Sequence, residues 1–303
     1  MVARPPRAAG LQAHRVRAAW LFLFPTLAVL AAVAGWPLLR TVALGFTDAR
    51  LSDLGAARWV GLDNFAIVLG DPEWWRSVGN TLVFTSVSVS LELVLGMAIA
   101  LVLDARFAGR GALRAAVLIP WAVPTVVSAQ LWRWMYNDTF GVVNDLLMRL
   151  SLIDRPIAWL ADDRTALAAV IATDVWKATP FMSLLLLAGL QTIPRELYES
   201  ASVDGAGGLR RFVAITLPLL RPAIAVALIF RTLDALRVFD LIYVMTSNSR
   251  STATMSVYAR QQLIDFQDAG VGSAACFLIF LVIGLVSVGY IAVLRPGFAA
   301  GGR

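Results

Sequence analysis

The chain is poor in the side chains that carry covalent chemistry. Its 303 residues include one Cys (Cys276), one His (His14) and one Lys (Lys177), and only 15% are charged. A single Cys closes no internal disulfide, and its apolar surroundings make it a small packed hydrophobe. One His and one Cys are too few for a zinc-type ligand set. A phosphate-cradling loop needs Gly-Lys-Ser/Thr, whereas the sole Lys stands in DVWKATP, so no such ATP site is encoded here. His14 lies in the basic N-terminal tail, too far from any Ser of an apolar run to act as its base. The scarcity of charge also excludes a water-soluble globule of this size, which would lack polar side chains to coat it. With 59% hydrophobic residues and a mean hydropathy of +0.73, the solvent is lipid. Transport, conduction or scaffolding remain.

What is present in quantity is apolar sequence in long windows. About 20 residues at 1.5 Å each cross a hydrocarbon core of roughly 30 Å. Windows of that kind fall at 18–39, 78–103, 113–136, 165–190, 222–246 and 271–294, which predicts an all-α membrane protein with six transmembrane helices. Residues 1–17 and 295–303 are then short tails. The first window follows a basic segment and contains Ala32-Val33-Ala34, which resembles a signal-cleavage site, but its length favours a retained span. The fifth carries four charges, and an amphipathic cytoplasmic helix is its alternative reading. Placing both termini in the cytoplasm puts 13 Lys/Arg in the inner segments and 9 in the longer outer ones, in keeping with the positive-inside rule. The net charge of +6 is accounted for in this way, and no basic run interleaved with aromatics points to nucleic acid.

Leaving aside Arg114 at the edge of the third window, which is counted with the inner loop, eight charged residues fall inside the windows: Glu92, Arg133, Asp174, Lys177, Arg231, Asp234, Arg237 and Asp240. Each costs about 2.5–3.5 kcal/mol at a span's centre, so they must face one another or water. Four are acidic and four basic, and the spacing predicts pairs of Asp174 with Lys177 and of Arg231 with Asp234 at i,i+3. Such pairs either glue the bundle or line a pathway. Trp176, Phe239 and Tyr243 sit among them, and aromatic faces beside carboxylates and guanidinium groups suit a polyhydroxylated solute. Pro180 removes a backbone donor from the fourth span and predicts a kink.

One polar stretch, ELYESASVDGAGGLRRFVAITLP (196–218), interrupts the apolar sequence. Pro194 suits the first turn of a helix continuing to Asp204, Gly205, Gly207 and Gly208 break it, and a second short helix is expected over 209–215. A hairpin this small buries no core of its own and needs a partner.

Glu199-Ser200-Ala201, three residues, Gly205, nine residues, then Ile215-Thr216-Leu217-Pro218 resembles the cytoplasmic EAA loop of ABC importer permeases, E-A-A-x3-G-x9-I-x-L-P. Ser200 stands where the pattern has its first Ala, a small-for-small change. The similarity extends through WVGLDNF, LIPWAVP, VWKATPF, LAGLQTIPRELYESASVDGA and RVFDLIYVMT to the carbohydrate-importer, MalF-like branch. Where that branch often continues with Gly-Gly-Pro after Thr246, this chain has SNSR.

The resemblance implies the type I ABC importer permease fold, in a bacterial inner membrane, with a cytoplasmic coupling helix in the loop 194–218. It further implies a second homologous permease subunit, two ATP-binding subunits that hold ATP and magnesium, and an extracytoplasmic sugar-binding protein. The chain itself would need no cofactor and would not be an enzyme. By resemblance, Glu199, Ser200, Ala201, Asp204, Gly205, Ile215, Leu217 and Pro218 form the docking element, and Glu199 is available to an Arg or Lys of the partner. Disaccharides such as trehalose or maltose are the expected cargo, with glycerol phosphate as the alternative and ion-coupled secondary transport as the rival from another class. Gly205→Asp is expected to disrupt assembly or coupling while leaving membrane insertion intact. Co-purification of the ATP-binding subunits with this variant is the measurement, and a normally active complex would contradict the expectation.

Overall fold

The computed structural model describes residues 8–300, so the parts of the two expected tails at 1–7 and 301–303 lie outside the described residues. Helix α1 (Ala8–Leu30) passes through a wide π-type turn at Ala31–Gly35 into α2 (Trp36–Leu44). Short α3 (Asp63–Gly70) precedes the long α4 (Pro72–Asp104), followed by α5 (Arg110–Ala122), α6 (Thr125–Met135) and α7 (Val142–Arg149). Then come α8 (Ala166–Leu190), α9 (Arg195–Val203), α10 (Gly208–Arg211), α11 (Leu217–Ala235), α12 (Asp240–Thr246), α13 (Met255–Arg260) and α14 (Ala269–Ala300).

Local sequence explains the principal boundaries. At the start of α4, Pro72 occupies the first turn, where its missing N–H costs nothing, and the Asp71 carboxylate accepts from the Glu73 amide at 2.9 Å. At 33 residues, α4 spans about 50 Å, more than the hydrocarbon core requires. Among the described residues, five continuous segments are long and apolar enough to cross a bilayer: Arg15–Leu44, Pro72–Asp104, Ala166–Leu190, Gly208–Ala235 and Ala269–Tyr290. The α5–α6 pair meets the same criterion only when taken together.

Two expected spans take a different form. The window 113–136 is broken by an 89° bend between α5 and α6. Pro124 is the cause: it pushes the preceding Val123 into extended backbone, ψ 132°, and donates no amide of its own. The fifth helix is displaced towards the N-terminus of its window. Its hydrogen bonding begins at Gly208, runs through a π-type segment at Phe212–Thr216 and stops at Ala235, so the expected separate helix at 209–215 is the first part of this span. Phe239, Asp240 and Tyr243 therefore lie beyond it, Phe239 in the break and the other two on α12. Hydropathy followed the apolar residues 236–245, whereas the helix ended where its hydrogen bonds did. Helix α8, by contrast, runs unbroken through Pro180.

Among the five spans, helix α8 is the most enclosed, with 67% of its apolar window buried, against none for the first. Its neighbours approach at glycines. A Cβ at Gly96 of α4 would meet Met182 Cγ at 2.7 Å, and one at Gly189 of α8 would collide with the Cβ of Ala223 on α11. Phe84, Met182, Leu186 and Leu220 fill the seam between these three helices. A second apolar cluster, including Phe65, Trp74, Tyr258 and Ala274, joins α3, α13 and α14 to the start of α4.

Ala223 Cβ is fixed by its backbone and cannot swing aside. Gly189→Val is therefore expected to separate α8 from α11 and to destabilise the assembled protein by about 1–3 kcal/mol. A lowered thermal unfolding midpoint of the purified complex is the readout, and an unchanged midpoint would contradict the close packing.

Candidate functional site

A cavity of about 670 Å³ opens beside the broken third span. The bend residues Trp121 to Thr125 form one wall, Asp174, Lys177 and Phe181 of α8 another, and Phe230, Arg231 and Asp234 close the end of α11. Arg237 and Phe239 of the break before α12, and Asp240 at the start of that helix, add the remaining charged and aromatic lining. Seven of the ten expected pathway residues thus meet in one place.

Arg231 organises the charge there. It is 4% exposed, and its Nε and Nη2 donate to the two oxygens of Glu92 at 2.5 and 2.6 Å, a fork-to-fork pair between α11 and α4. Nη2 also donates to Asp174 Oδ2 of α8 at 2.9 Å, and Nη1 to Asp234 Oδ2 on its own helix at 2.6 Å. The predicted Arg231–Asp234 pair forms. The predicted Asp174–Lys177 pair does not: Asp174 turns to Arg231, and Lys177 Nζ donates to the Val123 carbonyl at 2.6 Å. That contact places a positive charge at the C-terminal end of α5, where carbonyls lose their helical partners at the bend.

The other three candidates stand outside the lining. Glu92 is fully buried behind Arg231. Trp176 packs edge-on against Trp132, with ring centroids 5.5 Å apart. Tyr243 stacks on Phe239 at 5.3 Å and lies beneath the Arg260 guanidinium at 4.4 Å. Arg133, the remaining intramembrane charge, donates to the Val244 carbonyl at 3.4 Å. Sequence reading missed Trp121, Phe181 and Phe230, although Trp121 and Phe181 stack at 5.8 Å to form an aromatic wall. The available signal was LIPWAVP, whose two prolines mark a turn inside an apolar window. Away from the cavity lining, Tyr258 donates to Asp71 at 2.8 Å. Burial, reinforced by that carboxylate, pushes its phenol above the usual range, so the bond keeps its proton at physiological pH.

The polar hairpin forms the second site. Helix α9 ends in a Schellman motif: Gly205 adopts φ +76°, its amide donates to Ser202, and the Ala206 amide donates to the Ala201 carbonyl at 2.8 Å. Glycine is favoured there by its left-handed backbone, and a Cβ would meet nothing within this chain. Asp204 is the C-cap residue. The hairpin is braced by Arg211 donating to Ser202 Oγ at 2.6 Å and by the Tyr198–Thr216 hydroxyl pair at 3.0 Å. Ile215 packs on the main core, whereas Leu217 is only partly covered. Glu199 and Ser200 face outward, and Val203 and Leu209 are 88% and 79% exposed. These two apolar side chains flank the turn and leave an unpartnered surface.

Removing Arg231 would strand Glu92 and Asp174 in the protein interior. Arg231→Leu is expected to destabilise the fold by about 3–5 kcal/mol, read as a lower thermal midpoint and reduced yield of intact complex. Wild-type stability would refute the role given to the fork.

Comparison with known proteins follows the same lines. The family described as "Binding-protein-dependent transport system inner membrane component" matches residues 92–299. The trehalose/maltose transport system permease protein MalF of Thermococcus litoralis is 43% identical over 290 residues, covering 94% of this chain and 96% of that protein. The trehalose transport system permease protein SugA of Mycobacterium tuberculosis is 38% identical over 290 residues, covering 95% and 92%. The sulfoquinovosyl glycerol transport system permease protein SmoG of Agrobacterium fabrum is 39% identical over 277 residues, covering 91% and 89%. In fold, the chain superposes on a crystal structure of a bacterial ABC transporter that imports the acidic polysaccharide alginate, with a TM-score of 0.82, 24% identity, and coverage of 95% and 98%. A match that takes in the Arg231 fork and the hairpin together, on the type I importer permease fold, places this chain in the family of binding-protein-dependent transport system inner membrane components.

Proposed function

We propose that this chain forms half of the translocation pathway of an ATP-driven sugar importer, with a disaccharide such as trehalose or maltose as cargo. The observation that carries the reading is the cavity, where the aromatic faces of Trp121, Phe181 and Phe230 stand beside carboxylates and cations within one lining. Sugar CH faces stack on such rings while hydroxyls take donors and acceptors. The relatives named for trehalose and maltose transport support the same cargo class. A phosphorylated or otherwise anionic solute calls for a cationic lining. Here three acids, Asp174, Asp234 and Asp240, oppose three bases, Lys177, Arg231 and Arg237, which favours a neutral solute over glycerol phosphate.

A second, homologous permease completes the pathway in this reading, and two ATP-binding subunits, which hold ATP and magnesium, dock on the hairpin from the cytoplasm. A sugar-binding protein delivers cargo on the opposite face, and both termini of this chain are cytoplasmic. A related solved complex contains an alginate transporter with its loaded periplasmic protein. Closure of the ATP-binding pair pushes the hairpin, and the coupling works because the docked contact differs between inward-open and outward-open states. Glu199, Ser200, Ala201 and Gly205 form the docking face, with Val203 and Leu209 as its apolar flank.

In proteoliposomes holding the complete importer, uptake of trehalose or maltose is expected to require ATP and to survive an uncoupler. Uptake without ATP that collapses with the uncoupler would establish the ion-coupled rival. Glu199→Lys is expected to lower uptake about tenfold or more through loss of a charge-assisted contact, with the protein still inserted.

A further inference from the structure

Within the charged cluster, one carboxylate differs from the other two. Glu92 is fully buried and Asp174 is 8% exposed, whereas the Asp234 side chain is 63% exposed and lines the cavity. Four donor contacts of Arg231 are committed to carboxylates, two of them to Glu92, so the guanidinium is held in place from behind by α4 and α8. Asp234 Oδ2 is pinned by Nη1 at 2.6 Å. Its other oxygen makes no hydrogen bond among the described residues, on a side chain that lines the same cavity as Phe230 and Trp121. An ionised carboxylate is acceptor-only, so a free oxygen at a cavity wall accepts hydrogen bonds from hydroxyls and repels anions.

We infer that Asp234 is the residue of this chain that selects cargo, its free oxygen accepting hydroxyls of a neutral saccharide and disfavouring an anionic one. Arg231 acts as a positioning residue, with Glu92 and Asp174 as the anchors that orient it. This inference rests on the sugar-permease reading and goes beyond it by dividing the cluster into one contacting carboxylate and three supporting groups. The division follows from exposure: Arg231 is 4% exposed with four contacts to carboxylates and Glu92 and Asp174 are buried behind it, so Asp234 presents the accessible oxygen, and a Lys in place of Arg231 cannot reproduce the planar fork.

The test uses the assembled importer in lipid nanodiscs without the binding protein, with equilibrium dialysis of radiolabelled trehalose and maltose against unlabelled trehalose 6-phosphate as the anionic competitor. ATP-driven uptake is measured in parallel with the binding protein added. Asp234→Asn keeps size and exposure and spares the buried groups. It is expected to weaken binding of the neutral disaccharide about tenfold and to strengthen competition by the phosphorylated one. Arg231→Lys is expected to weaken binding by a similar factor, and Arg231→Lys with Asp234→Asn to be no worse than Asp234→Asn alone. A merely structural role for Arg231 would give additive losses instead.

Unchanged affinity in Asp234→Asn, additive losses in the double variant, or no gain by the anionic competitor would overturn the inference. So would ATP-driven uptake by an unaltered complex that binds neither disaccharide, although the proposed function would then stand. Absence of ATP-driven uptake of any saccharide would overturn the proposed function itself.

Discussion

Arg231 ties three spans together at one level of the bundle, and its fork is the interaction on which the rest of the interior depends. A guanidinium in a lipid-facing bundle is tolerable only when its donors are matched, and here Glu92 on α4, Asp174 on α8 and Asp234 on α11 match them. Three carboxylates around one cation also fix where the helices must sit, because a fork contact fails when either plane rotates. The close approaches at Gly96 and Gly189 serve the same seam, since they let α4 and α11 come near enough to α8 for the ion contacts to close. Buried ion pairs are poor sources of net stability but strong sources of register. In this protein, register aligns the cavity wall.

The cavity exists because the third span is broken. Pro124 ends α5, the chain turns through 89°, and the carbonyl left at Val123 receives Lys177. A straight helix would have filled this space with its own side chains. The break before α12 adds the opposite wall, so two interruptions of helical hydrogen bonding, each costly in hydrocarbon, are gathered around one polar space that satisfies them. Their coincidence with the stacked Trp121 and Phe181 rings is the ground for proposing that the space receives a solute with both CH faces and hydroxyls.

At the other end of the fifth span, the hairpin is rigid for reasons local to its own backbone. The Schellman closure at Gly205, the Arg211–Ser202 contact and the Tyr198–Thr216 pair hold α9 against the start of a helix that continues to Asp234. Gly208–Ala235 is a single helical segment, so a push on the hairpin has a continuous strut leading to the charged cluster. This continuity runs from the turn beside the expected docking surface to the cavity within one helical segment.

Much of this was legible in sequence. Helical class, number of apolar windows, the polar hairpin and its glycine follow from composition and from spacing along the chain, because lipid enforces helical hydrogen bonding and a left-handed cap favours glycine. The Arg231–Asp234 pair was readable for the same reason, as i,i+3 neighbours share a helix face. Glu92 and Asp174 were visible as costly charges, but which of them met Arg231 lay in tertiary packing, 139 and 57 residues away along the chain. The expected Asp174–Lys177 pair yielded to that packing, since a buried carboxylate gains more from a fixed guanidinium than from a neighbour drawn to an open carbonyl. Likewise, hydropathy located the third and fifth windows but not the bend or the helix end, because apolarity measures preference for lipid and says nothing of where hydrogen bonds stop. The sequence by itself determined which solvent this chain lives in and where it offers a polar handle; the cavity, its aromatic wall and the exposure of Asp234 alone among the three carboxylates were decided only when distant helices met.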